Sequence, residues 1–190
     1  MNTSRRLLPL LATAVLLAGC ATLPPRPTGS DALLVGRVVL TVTHGAYYGE
    51  PAVDGSHVAG IYVSIRDLTT GKISHAESFS PDGRFYLANL APGRYALTKL
   101  FYYNSFYNQS AKPVFTANLD LPFTVAARCV NNMGEIDWRD NGGISPDVHV
   151  GAGYAAVGAS VAQLLAASQW TALPSVDVKF GTQTKEHPRS

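Results

Sequence analysis

Through the middle of the chain, apolar and polar side chains alternate one by one over short stretches broken by glycine, proline and aspartate. Ile61, Val63 and Ile65 alternate with Tyr62, Ser64 and Arg66, and Phe85 and Leu87 with Arg84 and Tyr86. Tyr95 and Leu97 face away from Arg94, Ala96 and Thr98; Leu119, Leu121, Phe123 and Val125 repeat the pattern, as do Val176, Val178 and Phe180. A period of two is that of a strand with one buried face. Residues 33–43, rich in Val and Leu, form a longer strand, and residues 72–79 return from the hairpin loop Asp67-Leu68-Thr69-Thr70-Gly71. Ser80-Pro81-Asp82-Gly83 and residues 89–93 are turns. Pro122, lacking an N–H, places its strand at an edge or a bulge. One segment departs from the alternation: Ser160 and Gln163 have capping-box spacing, with Val161, Leu164, Leu165 and Ser168 on one helical face and Pro174 beyond. The pattern predicts a mainly β fold, an antiparallel two-sheet sandwich with one short helix before the last strand.

The N-terminal region follows a different rule. Arg5 and Arg6 precede an apolar run over 7–17, too short to span a bilayer as a helix, and the small residues Ala18 and Gly19 follow. Leu17-Ala18-Gly19-Cys20 resembles the lipobox of bacterial lipoproteins. That resemblance implies cleavage before Cys20, diacylglycerol on its sulfur and usually an acyl chain on the new amino group. With Ala21 next, where an inner-membrane retention signal has Asp, it also implies lipid anchoring in the outer membrane of a Gram-negative cell, on either face. The expected organisation is a signal peptide over 1–19, a lipidated Cys20 with a Pro-rich tether over 20–31, a β-sandwich over 32–181 and a tail over 182–190.

Composition narrows the function. Of 190 residues, 46% are hydrophobic and 15% charged, which excludes a disordered chain. Without Arg5 and Arg6 the remaining 13 basic residues equal the 13 acidic ones, so no basic excess supports nucleic-acid binding. Two cysteines exclude a disulfide scaffold, and Cys129 reads as a buried reduced thiol.

The run from Pro81 to Leu97, containing Asp82-Gly83-Arg84-Phe85 and Asn89-Leu90-Ala91-Pro92-Gly93-Arg94-Tyr95, resembles carboxypeptidase regulatory-like domains. Met133-Gly134-Glu135-Ile136 is similar to a later strand in lipoproteins of that type. The resemblance implies a transthyretin-like sandwich, a scaffold that hosts many roles.

Residues 101–107 place five aromatics among amides, and Tyr102, Tyr103 and Tyr107 are candidate contacts for an envelope protein or a glycan such as peptidoglycan. The loop over 44–57, with His44, His57, two carboxylates and two tyrosines, is a less favoured candidate for a hydrolase or metal site. The histidines lack ligand spacing there. Asp137-Trp138-Arg139-Asp140-Asn141-Gly142-Gly143 lacks a calcium-loop pattern and reads as a plain turn. The chain end His187-Pro188-Arg189-Ser190 departs from the tail of transthyretin-like hydroxyisourate hydrolases. The expectation is therefore a membrane-anchored, non-enzymatic envelope lipoprotein with no catalytic residues, metal or cofactor, whose partners are the membrane and an envelope protein or glycan.

Overall fold

Alternation becomes strand in the computed structural model, which describes residues 24, 27, 29–44, 53–57, 60–77, 80, 82–103, 115–141, 147–166 and 168–181. The strands are β1 (Ala32–His44), β2 (Val53–His57), β3 (Ile61–Asp67), β4 (Ile73–Glu77) and β5 (Arg84–Leu90). They continue with β6 (Gly93–Tyr102), β7 (Phe115–Val125), β8 (Val130–Asp140), β9 (Asp147–Ala152) and, after a helix, β10 (Ser175–Asp177). A four-stranded sheet has the order β4-β3-β6-β7, all antiparallel. The six-stranded sheet runs β10-β8-β1-β2, with β5 also on β1 and β9 also on β8. The two-sheet sandwich is thus as expected. Within the larger sheet, β8 runs parallel to both β1 and β10, an arrangement that side-chain alternation cannot distinguish from antiparallel pairing.

β1 explains why its sequence is apolar almost without interruption. Leu34, Val38, Leu40 and Val42 enter the core between the sheets, while Leu33 and Val35 point the other way, under the helix. A strand covered on both faces reads as a continuous hydrophobic run. From the smaller sheet, Ile61, Val63, Ile65, Leu97, Leu100 and Phe123 close the core. Tyr95 is buried there and donates its hydroxyl to the Ala91 carbonyl at 2.8 Å, which fixes the 89–93 corner. Pro122 stands on β7, an edge strand of its sheet, and its carbonyl accepts the Gly181 N–H at 2.7 Å.

The helix corrects part of the sequence reading. It spans Tyr154–Leu165 (α1), about two turns earlier than the capping-box spacing indicates, and its N-cap is Gly153, with no side-chain cap. Val157, Val161 and Leu165, four apart, are the buried stripe and pack on Leu33, Val35, Val130 and Trp170. Ala155 and Ala156 extend the helix backwards at little cost. Ser160 lies inside it, and Ser168 instead caps a 3₁₀ turn at Gln169–Ala172 by accepting from the Trp170 N–H.

Ser160 serves to dock the helix. Its hydroxyl donates to Asp82 Oδ2 at 3.2 Å, and Asp82 Oδ1 accepts from the Ser80 hydroxyl at 2.6 Å and from Arg84 Nε at 2.8 Å. Arg84 also donates to the Ser160 carbonyl at 3.0 Å. Burial pushes the Asp82 carboxyl up, but the bonds from Ser80, Arg84 and Ser160 outweigh it and hold the carboxyl below its ordinary 3.8. A depressed folded pKa stabilises the fold above the unfolded value, and that contribution disappears as pH falls through the folded one. The stability gap between wild type and Asp82→Asn is therefore expected to narrow as urea titrations move from pH 6 to below pH 3. A gap constant across that range would show that the ionised carboxylate contributes nothing.

Gly158, inside α1, offers a second check. A Cβ there would meet Asn132 Nδ2 at 3.6 Å, an ordinary contact. Gly158→Ala is expected to raise stability by about 0.5–1 kcal/mol from helix propensity alone, read as a higher urea midpoint. A lower midpoint would show that the helix sits closer to β8 than described.

Two further residues differ from expectation. Residues 137–140 are not a turn but the end of β8, where Trp138 is fully buried. Cys129 is half-buried rather than buried, because it lies in the turn between β7 and β8; its carbonyl, accepting from the Leu33 N–H at 3.1 Å and the Asn131 amide at 3.3 Å, is the tied group.

Candidate functional site

The outer face of the larger sheet is partly covered by α1, whereas the outer face of the smaller sheet carries an aromatic cluster. Strand period places Tyr62, Ser64 and Arg66 of β3 outward, since Ile61, Val63 and Ile65 are the core residues. Across the sheet Tyr62 stands opposite Phe101 of β6, and Ser64 opposite both His75 of β4 and Lys99 of β6. The Tyr62 and Phe101 rings are stacked, 5.0 Å between centroids and 2° from parallel. Tyr103, just beyond β6, lies nearly perpendicular to both, at 5.4 and 5.5 Å. His75 meets Phe101 edgewise at 6.0 Å, and its Nδ1 shares a hydrogen bond of 2.7 Å with the Ser64 hydroxyl. The Lys99 ammonium sits 5.8 Å from the Phe101 centroid, and no described carboxylate forms an ion pair with it. Further down the face, Arg66 pairs with Asp120 at 3.4 Å beside the exposed Ile73. Glu77 holds the register position opposite Tyr62 on β4.

All three aromatic rings are half-buried, so each keeps part of its surface in solvent. Contiguous rings with polar tips beside an ammonium can stack on a ligand and pair with its charge at the same time.

The candidate residues from the sequence separate here. Tyr103 belongs to the outer cluster. Tyr102 is half-buried against the core, its ring stacked on Phe115 at 6.0 Å between centroids. Tyr107 lies outside the described residues, as does Cys20. Phe101 belonged to the aromatic run but was not singled out as a contact, and Tyr62 was missed. The signal for Phe101 was its parity with Tyr103 along one strand, and for Tyr62 its place opposite in a neighbouring strand, which needs the register. Of the 44–57 loop, the backbones of β1 and β2 are described, with His44 paired to Val53 and His57 to Leu40; the histidine side chains and residues 45–52 lie outside the described residues. His149 is exposed, 3.6 Å from Asp147. Among the described residues no group of three or more His, Cys, Asp or Glu side chains is placed to hold a metal ion.

A concavity of about 140 Å³ lies between α1 and the larger sheet, walled by Val35, Val130, Val161, Leu165 and Trp170, with the Asn132 amide on its polar side. That amide also donates to the Tyr154 carbonyl at 3.0 Å, so it serves to hold the helix. Among the described residues, no helix is long and apolar enough to cross a membrane.

Compared with known proteins, the chain matches no family model and no curated sequence.

Proposed function

We propose that the chain is a lipoprotein of the bacterial envelope that displays its β-sandwich as a non-enzymatic binding module. In this reading Cys20 carries the lipid in the outer membrane, residues 20–31 are the tether, and the sandwich is a carboxypeptidase regulatory-like domain. The observation that carries it is the ordered run of Arg5-Arg6, the apolar stretch over 7–17 and Leu17-Ala18-Gly19-Cys20, followed by Pro24, Pro25 and Pro27. Acyl chains at about 0.8 kcal/mol per buried methylene hold a protein stably once two or more are present. The proline-rich segment suits an extended spacer of about 3 Å per residue.

Detergent-phase partitioning tests the anchor. The native chain is expected in the detergent phase, whereas residues 21–190 exported behind an ordinary secretory leader are expected in the aqueous phase. A native product found in the aqueous phase would remove the reading.

A second reading, a carbohydrate-binding module, is favoured by one specific observation: the contiguous rings of Tyr62, Phe101 and Tyr103 on the outer face. Sugar rings stack on such surfaces, and the tyrosine hydroxyls supply directional hydrogen bonds.

A further inference from the structure

We infer that the outer face of the four-stranded sheet binds a carboxylate-bearing glycan, with Tyr62, Phe101 and Tyr103 as the stacking surface and the Lys99 ammonium as the carboxylate partner. The inference rests on the carbohydrate-binding reading and adds the charge of the ligand and the cation that selects it.

Charge is the first argument. Arg66 is matched by Asp120 on the same face, and Arg84 and Arg37 are paired with Asp82 and Glu135 elsewhere. Lys99 has no such carboxylate partner: its ammonium rests near the Phe101 ring at 5.8 Å and pairs with no described carboxylate. A cation held by a ring at that distance remains free to pair on its solvent side. The His75 ring, fixed by its bond to Ser64 and its edge contact with Phe101, bounds the same surface.

Orientation is the second argument, and it weighs against a lipid headgroup as the occupant. β1 begins at Ala32, where it pairs with Leu90 of β5, and Leu33 pairs with Val130 of β8. Leu90 is followed closely by Gly93, which pairs with Val125. The start of β1 therefore lies at the same end of the sandwich as the start of β6. β6 runs ten residues away from that end, about 30 Å at 3.3 Å per residue, and carries Phe101 near its far terminus. With Cys20 lipidated as proposed above, a tether leading into β1 presents the aromatic cluster at the end remote from the lipid.

The test uses the full mature chain in non-ionic detergent and three probes: oligogalacturonate, its fully methyl-esterified form and poly-glutamate of similar length. Isothermal calorimetry with oligogalacturonate is expected to give saturable binding, at least tenfold tighter than the methyl ester and weakened by salt. Lys99→Gln is expected to bring oligogalacturonate down to the methyl-ester level. Phe101→Leu and Tyr103→Ala are expected to weaken both sugars, with circular dichroism confirming that each variant is folded. Equal affinity for ester and acid overturns the inference, as does no binding of any sugar. Tighter binding of poly-glutamate than of the sugars makes the surface a site for acidic peptides and also overturns it. Binding in detergent does not depend on the lipid, so a chain that binds the acid sugar but lacks acylation keeps this inference and loses only the anchor.

Discussion

Alanine at position 134 is expected to destabilise the protein by about 3 kcal/mol or more, the combined cost of a left-handed backbone and a steric overlap. Gly134 has φ 70°. A Cβ there would overlap the Ala152 carbonyl oxygen and stand 3.0 Å from the Tyr154 ring. The position cannot relax freely, because it is a β-bulge. Val35 pairs with Asn132 and Arg37 with Glu135, so Met133 and Gly134 together face the single residue Gly36. The bulge is fixed by Asn132, whose side-chain oxygen accepts the Gly134 N–H at 2.9 Å while its amide holds the first residue of α1. Gly71 provides the control. Its φ is 74°, but nothing lies within 4 Å of a Cβ there. Gly71→Ala should therefore cost only backbone strain, about 1 kcal/mol. Urea midpoints for the two variants separate the effects, and equal losses would show that the overlap at 134 does not exist.

Trp138→Ala should cost about 3–5 kcal/mol, the range for removing a buried tryptophan. Trp138 is fully buried in the core between the sheets, with Leu40 and Val148 as its cross-strand partners. Its indole N–H has no hydrogen-bond partner among the described residues. An unpaired buried donor is itself costly, about 1–3 kcal/mol. Trp138→Phe removes that donor while keeping an aromatic ring, so its cost should stay within about 1 kcal/mol, the two terms largely cancelling. If phenylalanine costs as much as alanine, the indole N–H makes a bond that matters.

Trp138 also marks where sequence reading stops. Asp137, Arg139 and Asp140 around it look like a polar turn when read locally. In three dimensions Asp137 and Arg139 are the outward residues of a strand whose apolar members, Ile136 and Trp138, face the core, and Asp140 ends that strand opposite Val42. Strands whose core residues recur at every second position, such as Ile61, Val63 and Ile65 of β3 and Leu121, Phe123 and Val125 of β7, were legible because that face is buried. The parallel pairing of β1 with β8 was not, since local alternation carries no information about a partner nearly a hundred residues away. The helix was legible in kind but not in start, because Ser160 makes a tertiary bond to Asp82 instead of a cap. The candidate site was half legible. Residues 101–103 stood out as aromatic, but which of them face outward depends on strand parity, and Tyr62 enters only through the register between β3 and β6.

The proposed anchor depends on the covalent state of one sulfur, and intact-mass spectrometry of the product made in its own cells reads that state directly. The predicted result is a chain beginning at Cys20, heavier than its amino-acid sequence by a diacylglyceryl group and, where the amino group is also modified, one further acyl chain. A product beginning at Cys20 or elsewhere with an unmodified thiol at that residue would contradict it.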